Sequence, residues 1–313
     1  MRDTRPDILI RTATSADAAA ISAVHCSDIT LWKTWDVDGV ERPARYGDLN
    51  SYQRWLNGGP WMDIDLCANH LRRLGQCGVS LVAELDGRVL AEAELHTADE
   101  PPPFGRNTNL SVLYVHRNHR RQGMGSALLQ HALALAASKH CDNFIVAHAE
   151  ATDFYAKHGL RAATRWVRFR ISAQTGNAQY TTEPLPDAPY ELVRGFSLAI
   201  GRYQNVRHDW ERTRPGATPD FAEWRRLKVE RYWITTGRHR AALILEESPR
   251  APRTAETFLF TQTGPAPELI AAIRDLAARS GFDHLYFFAP ADFKHKDAAP
   301  TDYSQTPYVK KVS

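Results

Sequence analysis

A basic turn with two glycines joins a predicted strand to a predicted helix. The turn consists of Arg120, Arg121, Gln122, Gly123, Met124, Gly125 and Ser126. A glycine-bearing turn at a helix start leaves several backbone N–H groups pointing one way, with the helix dipole behind them, so it favours an anion such as phosphate. It is not a Walker loop, because no Lys-Ser or Lys-Thr follows the glycine, and it lacks the three spaced glycines of the dinucleotide fingerprint.

Three side chains that could move a proton lie on a predicted strand further upstream. Glu92, Glu94 and His96 alternate with apolar residues, and the period of two puts all three on one face of the strand. A carboxylate or an imidazole can accept the proton that an amine must lose before it acts as a nucleophile. We favour Glu94 as the base, followed by Glu92. The alternative interpretation is that these carboxylates are solvated or ion-paired.

The elements that must position these residues follow one another in the first half of the chain. Residues 8–13 predict a strand, and Ser15 is a candidate N-cap for a first helix. Residues 79–84 and 89–96 predict two strands joined by a hairpin at Asp86 and Gly87. Residues 109–115 predict a fourth strand, the helix after the glycine turn should run to about Ala137, and residues 143–147 predict a fifth strand parallel to the fourth.

Aromatic residues are concentrated between residues 29 and 65. This segment holds four of the eight tryptophans, namely Trp32, Trp35, Trp55 and Trp61. One interpretation is a pair of amphipathic helices whose aromatic side chains belong to the core. The other is that some of these rings form the wall of an acceptor pocket, since aromatic side chains supply rigid apolar area.

Two motifs together resemble the GNAT superfamily of N-acetyltransferases. The order strand, Arg-x-x-Gly-x-Gly, helix is similar to the acyl-CoA-binding motif of that family. After the fifth strand, Phe154-Tyr155-x-Lys157-x-Gly159-Leu160 resembles the segment that GNAT enzymes carry at the same place. The resemblance covers residues 8 to about 172. It implies an α/β fold with a mixed sheet and an acyltransferase activity with acetyl-CoA as cofactor.

The resemblance assigns the cofactor contacts. Backbone N–H groups from Gln122 to Ser126 would hold the pyrophosphate, and Arg120 and Arg121 would add positive charge. In the family the fourth and fifth strands splay apart where the helix begins, and the pantetheine arm lies in that gap. Here the arm would pair with the backbone near Leu113 and Val115.

Further roles also follow from the resemblance. A backbone N–H at about Tyr114 or Val115 would face the thioester oxygen. Tyr155 would donate a proton to the departing sulfur, or would only pack and hydrogen-bond the cofactor sulfur. His148 lies where GNAT enzymes often carry an asparagine that contacts pantetheine, and it could take that role or be a partly buried histidine. Asn109 replaces a glutamate that commonly acts as base in the family.

The second half of the chain repeats the same order of elements with little residue identity. Residues 192–200, 257–261 and 284–289 predict strands, and residues 202–213, 221–229 and 267–279 predict helices. In place of the glycine turn this copy has Thr263-Gly264-Pro265-Ala266-Pro267, where two prolines remove N–H donors. We therefore predict two GNAT-like domains in tandem, the second degenerate.

The predicted domain bounds follow from this repeat. Residues 1–174 would form the catalytic domain with the acyl-CoA site. Residues 175–189, in a stretch rich in Thr, Gly, Asn, Pro and Ala, would be a linker. Residues 190–313 would form the degenerate domain without a phosphate-binding turn.

Composition limits the class of protein. A chain of 313 residues suffices for two domains, and its net charge of +3, mixed in sign along the chain, does not indicate nucleic-acid or membrane partners. Four cysteines without CxxC spacing predict reduced thiols, and thirteen histidines without HExxH or a Cys/His cluster predict no metal site. No signal core and no apolar run near 18 residues is present, so we expect a soluble, cytoplasmic protein.

The sequence therefore favours an acetyl-CoA-dependent N-acetyltransferase that acts by direct attack in a ternary complex. The acceptor would be an amine of a small molecule, although a protein amino group stays open, and the protein would be a monomer or a homodimer. The alternative is a catalytically inactive acyl-CoA sensor or structural module, which Asn109 keeps open. A further alternative is nucleic-acid binding through residues 116–121.

Overall fold

The computed structural model describes residues 7–36 and 40–312 of the chain. The chain forms two compact units, each assembled from two segments. The first unit comprises Met1–His96 and Leu110–Lys139, and the second comprises Thr97–Asn109 and His140–Ser313. No helix in the described part of the chain is long and apolar enough to cross a membrane.

The first unit contains the upstream elements of the predicted site. Its helices and strands are β1 (Leu9–Thr12), α1 (Ala18–Cys26), β2 (Trp32–Trp35), β3 (Glu41–Ala44), α2 (Ser51–Leu56), α3 (Ile64–Cys77), β4 (Val79–Leu85), β5 (Arg88–Asp99), β6 (Arg106–Val115) and α4 (Met124–Ser138). The ends of β5 and β6 nearest to their connecting loop fall in residues 97–109 and belong to the second unit.

The strands of the first unit follow the order β1-β4-β5-β6. The predicted hairpin between β4 and β5 is confirmed: Asp86 and Gly87 have φ of 52° and 72°, as a tight turn between antiparallel strands requires. α1 and α3 bury Ile21, Cys67 and Leu71 in one cluster with Val82 of β4. This packing fixes β4, and through it the neighbouring strand β5 that carries both candidate carboxylates.

The interpretation of residues 29–65 as a pair of amphipathic helices is wrong for its first half. Trp32–Trp35 and Glu41–Ala44 form an antiparallel pair, and a helix of only six residues, α2, follows. The side chain of Asn57 accepts from Lys33 N at 3.0 Å and donates to Lys33 O at 2.8 Å, which satisfies the strand backbone. Trp and Thr favour extended backbone, and this preference outweighs the helical spacing of Trp32 and Trp35.

The second unit holds the rest of the chain. Its further helices and strands are β7 (Asn143–Val146), α5 (Thr152–Lys157), β8 (Arg161–Ala162), β9 (Trp166–Ser172), β10 (Thr181–Pro184), β11 (Ser197–Ile200), α6 (Val206–Arg212), β12 (Val229–Thr236), β13 (His239–Ser248), β14 (Ala251–Thr261), α7 (Pro267–Arg279), β15 (His284–Pro290), β16 (Ala298–Gln305) and β17 (Tyr308–Lys311).

Two groups of strands form the sheets of this unit. The part of β6 that lies here pairs in parallel with β7, from Asn107 with Asn143 to Asn109 with Ile145, as predicted. The C-terminal strand β17 lies between β7 and β8 and is antiparallel to both. The other group has the order β10-β12-β13-β14-β15-β9-β16, with β11 paired to β14.

The predicted internal repeat is present in the second unit. A hairpin of β12 and β13 leads to β14, helix α7 follows, and β15 returns parallel to β14. Leu269 and Ile273 of α7 are buried against Leu243, Leu259 and Leu285 of these strands. The fold class is therefore the predicted one, a mixed α/β fold with two related sheet systems.

Two sequence interpretations differ in detail from the structure. The predicted linker 175–189 carries β10, which pairs with β12 from Thr181 with Thr235 to Pro184 with Tyr232. Residues 221–227, predicted to be helical, form turns, and β12 begins at Val229. Helix α3 ends before Gly78, where an added Cβ would lie 2.6 Å from Leu95 O.

Candidate functional site

The glycine turn leads into α4 as the sequence predicts. Gly123 is the N-cap of the helix, with φ of 92°, and its position bears no capping side chain. An added Cβ at Gly123 would meet only Ile8 Cδ1, at 3.7 Å, so the left-handed backbone and not crowding requires glycine there. Arg121 has φ of 63° and is also left-handed. The helix therefore begins on an exposed turn without a side chain that competes for its first N–H groups.

The charge of the turn is partly compensated inside the first unit. Arg120 forms an ion pair with Asp28, and its Nε donates to Val115 O at 3.3 Å. Arg117 donates to Asp28 O at 2.7 Å. Arg121 is exposed, as are Gln122 and Gly123. Arg121 is thus better placed than Arg120 to offer an uncompensated charge to an anion, and the assigned cofactor roles of both stay predictions.

Glu92 is fully buried in the first unit and hydrogen-bonded on both oxygens. His25 Nε2 lies 2.7 Å from Glu92 Oε2, and Ser80 Oγ donates to Glu92 Oε1 at 3.0 Å. The His25 ring stacks on Trp61 at 4.9 Å and on Tyr114 of β6 at 4.2 Å between ring centroids. His25 therefore connects Glu92 to the strand segment of residues 113–115, which is half-buried.

Glu94 has different partners from Glu92. Its Oε1 accepts from Trp61 Nε1 at 2.9 Å and lies 2.7 Å from His70 Nε2. The side chain of Glu94 is 2% exposed, whereas that of His70 is 27% exposed. His96, the third candidate base, is buried, and its Nδ1 lies 3.4 Å from Ser111 Oγ. We call His25, Trp61, His70, Glu92 and Glu94 the carboxylate cluster.

The two carboxylates of the cluster have opposite protonation tendencies. Burial raises the pKa of Glu92 well above its usual value, and the neighbouring Glu94 adds to that effect. Burial also acts to raise the pKa of Glu94, but the charge and hydrogen bond of His70, with the bond from Trp61, outweigh it and lower the pKa. Glu92 is therefore protonated more readily than an ordinary glutamate, whereas Glu94 is a carboxylate at neutral pH.

The pKa values of the two histidines in the cluster, His25 and His70, are also shifted in opposite directions. Burial lowers the pKa of His25 to about 3, so this imidazole is neutral at pH 7. Burial also acts to lower the pKa of His70, but Glu94 outweighs it and raises the pKa above the usual value. His70 and Glu94 thus stabilise each other's charged forms, whereas the His25 imidazole beside Glu92 is neutral at pH 7. Such a pair of groups with separated pKa values is typical of acid–base sites.

Tyr155 and His148 belong to the second unit. Tyr155 lies on α5, is 7% exposed, and has its ring 6.4 Å from that of Tyr308 on β17. Burial raises the pKa of its phenol to about 12. His148 stacks on Tyr203 and Tyr303 at 5.9 and 6.4 Å between centroids. Their roles toward a cofactor stay predictions.

Asn109 is buried in the second unit and cannot act as a base in place of the glutamate that is common in the family. Its Nδ2 donates to Gln204 Oε1 at 2.8 Å, while its Oδ1 has no hydrogen-bond partner. An amide cannot accept a proton at neutral pH. The assignment of the base to Glu94 or Glu92 of β5 stays a prediction.

Sequence reasoning did not identify His25 or His70 as members of the site. They lie 67 and 24 residues from their carboxylate partners, so no local spacing connects them. Trp61 lies in the aromatic segment that was considered for an acceptor wall, and its indole N–H donates to Glu94. A role in an acceptor pocket stays a prediction. Within residues 7–36 and 40–312, no group of three or more His, Cys, Asp and Glu side chains could hold a metal ion.

Residues 45–160 match the family described as the acetyltransferase (GNAT) family. No curated protein matches the chain in sequence.

Several solved structures resemble nearly the whole chain. A GCN5-related N-acetyltransferase from Anabaena variabilis ATCC 29413 aligns with a TM-score of 0.64 and 12% identity, over 98% of this chain and 73% of that one. A GCN5-related N-acetyltransferase from Kribbella flavida gives 0.55 and 13%, over 98% and 72%. Eis1 from Mycobacterium abscessus gives 0.54 and 13%, over 97% and 73%. At this identity the likeness establishes the fold.

Proposed function

We propose that the protein transfers an acetyl group from acetyl-CoA to the amine of a small molecule, because residues 45–160 match the GNAT acetyltransferase family. The proposal rests on two features of the first unit. The helix start at Gly123 has no capping side chain, and Glu94 is a buried, ionised carboxylate. The first suits a pyrophosphate, and the second suits a base.

The residues of the turn fit a bound pyrophosphate. Gly123 gives the backbone its left-handed geometry, the turn is exposed, and Arg121 offers a cation beside it. Backbone N–H groups from Gln122 to Ser126 would hold the phosphate oxygens. When bound, acetyl-CoA supplies the acetyl group as an activated thioester.

Glu94 is the proposed general base. An aliphatic amine has a pKa near ~10 and is protonated at neutral pH, so it must lose a proton before its nitrogen can attack. Glu94 takes that proton, directly or through a water molecule. His70 keeps Glu94 ionised beforehand and, being partly exposed, gives the proton a path to solvent. Trp61 fixes the carboxylate through its indole N–H.

Tyr155 is the proposed general acid. As the amine nitrogen bonds to the acetyl carbon, the carbon–sulfur bond breaks and the thiolate needs a proton. The Tyr155 phenol is protonated at neutral pH because burial raises its pKa to about 12. It can therefore donate to the sulfur, as the family resemblance implies.

A transfer assay tests the proposal. Acetyl-CoA is incubated with a panel of small amines, and thiol release is followed together with the acetylated product by mass spectrometry. We expect amine-dependent thiol release that Glu94→Gln lowers strongly. Glu84→Gln is the matched control, because Glu84 lies on β4 and pairs with Arg11 instead of the cluster.

Two outcomes of the assay would contradict the proposal. Binding of CoA without turnover for any amine would favour the sensor that Asn109 keeps open. Equal activity in Glu94→Gln and wild type would remove Glu94 from the mechanism while leaving the transfer itself intact.

A further inference from the structure

A cavity of about 350 Å³ lies in the second unit, apart from the carboxylate cluster. It opens where the parallel strands β14 and β15 separate: their pairing ends at Glu256 with Tyr286, and the next residues of both strands line the cavity. In volume it falls at the lower end of the range typical of small-molecule sites, about 300–1,000 Å³. Nothing in the proposed transfer reaction uses it.

Aromatic side chains form much of the wall. Phe258 and Phe288 are buried, whereas Tyr203 and Tyr303 are 37% and 43% exposed and lie nearer to solvent. The Phe288 ring contacts that of Tyr303 at 5.5 Å and that of Tyr203 at 6.4 Å between centroids. An apolar or aromatic ligand body suits such a wall.

The segment that bears Tyr203 is held rigidly. Asp209 Oδ2 accepts from the backbone N–H of Tyr203 and of Gln204, each at 2.9 Å. Gln305 Nε2 donates to Arg202 O at 3.2 Å and to Tyr203 O at 3.1 Å. Because these hydrogen bonds already order the backbone of residues 202–204, ligand binding does not lose conformational entropy there, and this favours affinity.

The charged groups that line the cavity are two guanidinium groups and one carboxylate, and the carboxylates of Asp209 and Glu246 also act on Arg212. Arg168 and Glu256 line the cavity and form an ion pair with each other. Arg212 also lines it, with its guanidinium 4.8 Å from the centroid of the Phe258 ring, and its ion pair with Glu246 spans 3.5 Å. A guanidinium has five N–H donors and binds a carboxylate best through two short parallel bonds. Arg212 can therefore accept a ligand carboxylate beside an aromatic face.

We infer that this cavity binds a small aromatic carboxylic acid, with the ring against Phe258, Phe288 and Tyr303 and the carboxylate on Arg212. Its lining includes neither Glu94, Tyr155 nor residues 120–126 of the proposed transfer site, although His148 stacks on the lining residues Tyr203 and Tyr303. Most of the cavity belongs to the second copy of the repeat, which has no phosphate-binding glycine turn. This copy would then bind a small ligand and not acyl-CoA.

Calorimetric titration of the full chain with three indole compounds tests the inference. Indole-3-acetate carries a carboxylate, indole-3-acetamide is its neutral counterpart, and tryptamine carries an ammonium group. We expect saturable one-to-one binding of indole-3-acetate. The acetamide and tryptamine should bind at least about tenfold more weakly, because a hydrogen-bonded charge pair contributes about 1.5–3 kcal/mol.

Variants locate the binding. Arg212→Gln should weaken indole-3-acetate about tenfold or more. Tyr303→Ala should weaken it about twofold to tenfold. The control is Arg225→Gln, since Arg225 is exposed, forms an ion pair with Asp220 and does not line the cavity, and it should bind as wild type does. Should Arg212→Gln fail to fold, Arg212→Lys replaces it, because lysine keeps the charge and loses the bidentate geometry.

The results that would overturn the inference are specific. They are no binding of indole-3-acetate at millimolar concentration, tighter binding of tryptamine, or an unchanged affinity in both the arginine and the tyrosine variants. Acetyl-CoA is titrated into the same samples. Its binding tests the proposed transferase separately, so failure of one proposal is distinguishable from failure of the other.

Discussion

At the scale of single residues, the strand pattern predicted that Glu92 and Glu94 share one face, and we favoured Glu94 as the base, but their charge states could not be predicted. The structure separates them through their partners. His70 and Trp61 keep Glu94 ionised, whereas Glu92 shares a buried site with the neutral His25. These partners come from distant parts of the chain and are set by packing alone. That is why the charge state of each carboxylate could not be predicted from the sequence.

Glutamine substitutions should distinguish the two carboxylates. Glu94→Gln should lower kcat about 10²–10⁴-fold, the range of a lost general base. Glu92→Gln should stay within about threefold of wild type, because glutamine resembles the neutral acid: it can accept from Ser80 and donate to His25. Steady-state kinetics with a fixed amine measures both. A larger loss in Glu92→Gln than in Glu94→Gln would reverse the assignment.

His70 should make stability depend on pH. Its pKa is raised in the folded protein from 6.5, so its stabilising contribution is fully present below pH 6.5 and is lost as pH rises through the folded value. We expect His70→Gln to lower the free energy of unfolding by about 1–3 kcal/mol near pH 6. The difference from wild type should shrink at higher pH. Urea unfolding of both proteins at pH 6 and at higher pH measures this difference in the free energy of unfolding. A difference that grows as pH rises would contradict the pairing of His70 with Glu94.

Tyr155 allows a separate test of the general acid. Tyr155→Phe keeps the ring and removes the proton, so kcat should fall about 10²-fold or more while the KM for acetyl-CoA changes little. Phe154→Leu on the same helix is a control for packing. If kcat were unchanged and only KM rose, Tyr155 would be a cofactor contact, which is the alternative that the sequence left open.

At the scale of elements, α4 was predicted to within one residue at its C-terminal end. The glycine turn, the apolar stripe and the strand before it all agree locally, and such consistency makes an element predictable. The segment 29–65 was not predictable in the same way. Its aromatic spacing suits a helix, but the bonds of Asn57 to Lys33 and the pairing of β2 with β3 decide the structure.

A substitution at Gly123, the N-cap of α4, tests whether the turn before this helix binds the cofactor. Gly123→Ala would place a side chain at φ of 92°, which should cost about 1–2 kcal/mol or shift the turn. We expect weaker binding of CoA by about tenfold with the folded state retained. Gly87→Ala, at φ of 72° in the β4–β5 turn, is the matched control for backbone strain elsewhere. Equal CoA affinity in both variants would argue against the turn as the phosphate site.

At the scale of the whole molecule, the strand order does not follow the predicted division at residue 174. β17, from the end of the chain, lies between β7 and β8, and β9 pairs with β15 from Ser172 with His284 to Trp166 with Pro290. The repeat of elements was predictable because each copy has its own local pattern. The exchange of strands was not, because it depends on pairing between residues more than 100 positions apart.

The bounds 1–174, 175–189 and 190–313 therefore stay a prediction that a truncation can test. A fragment of residues 1–174 lacks β17, so β7 loses its antiparallel partner and β9 loses β15. Unpaired strand edges favour aggregation. We expect this fragment to be insoluble or to unfold without cooperativity, and to become soluble on co-expression with residues 175–313. Cooperative unfolding of the fragment alone, at the midpoint of the full chain, would show that the first domain is autonomous.

A crystal structure of the full chain with CoA tests the central claim most directly. The account predicts the pyrophosphate on the backbone N–H groups of Gln122 to Ser126, at the start of α4, with Arg121 nearby. Density for CoA at any other position, or a titration without binding at millimolar CoA, would contradict it.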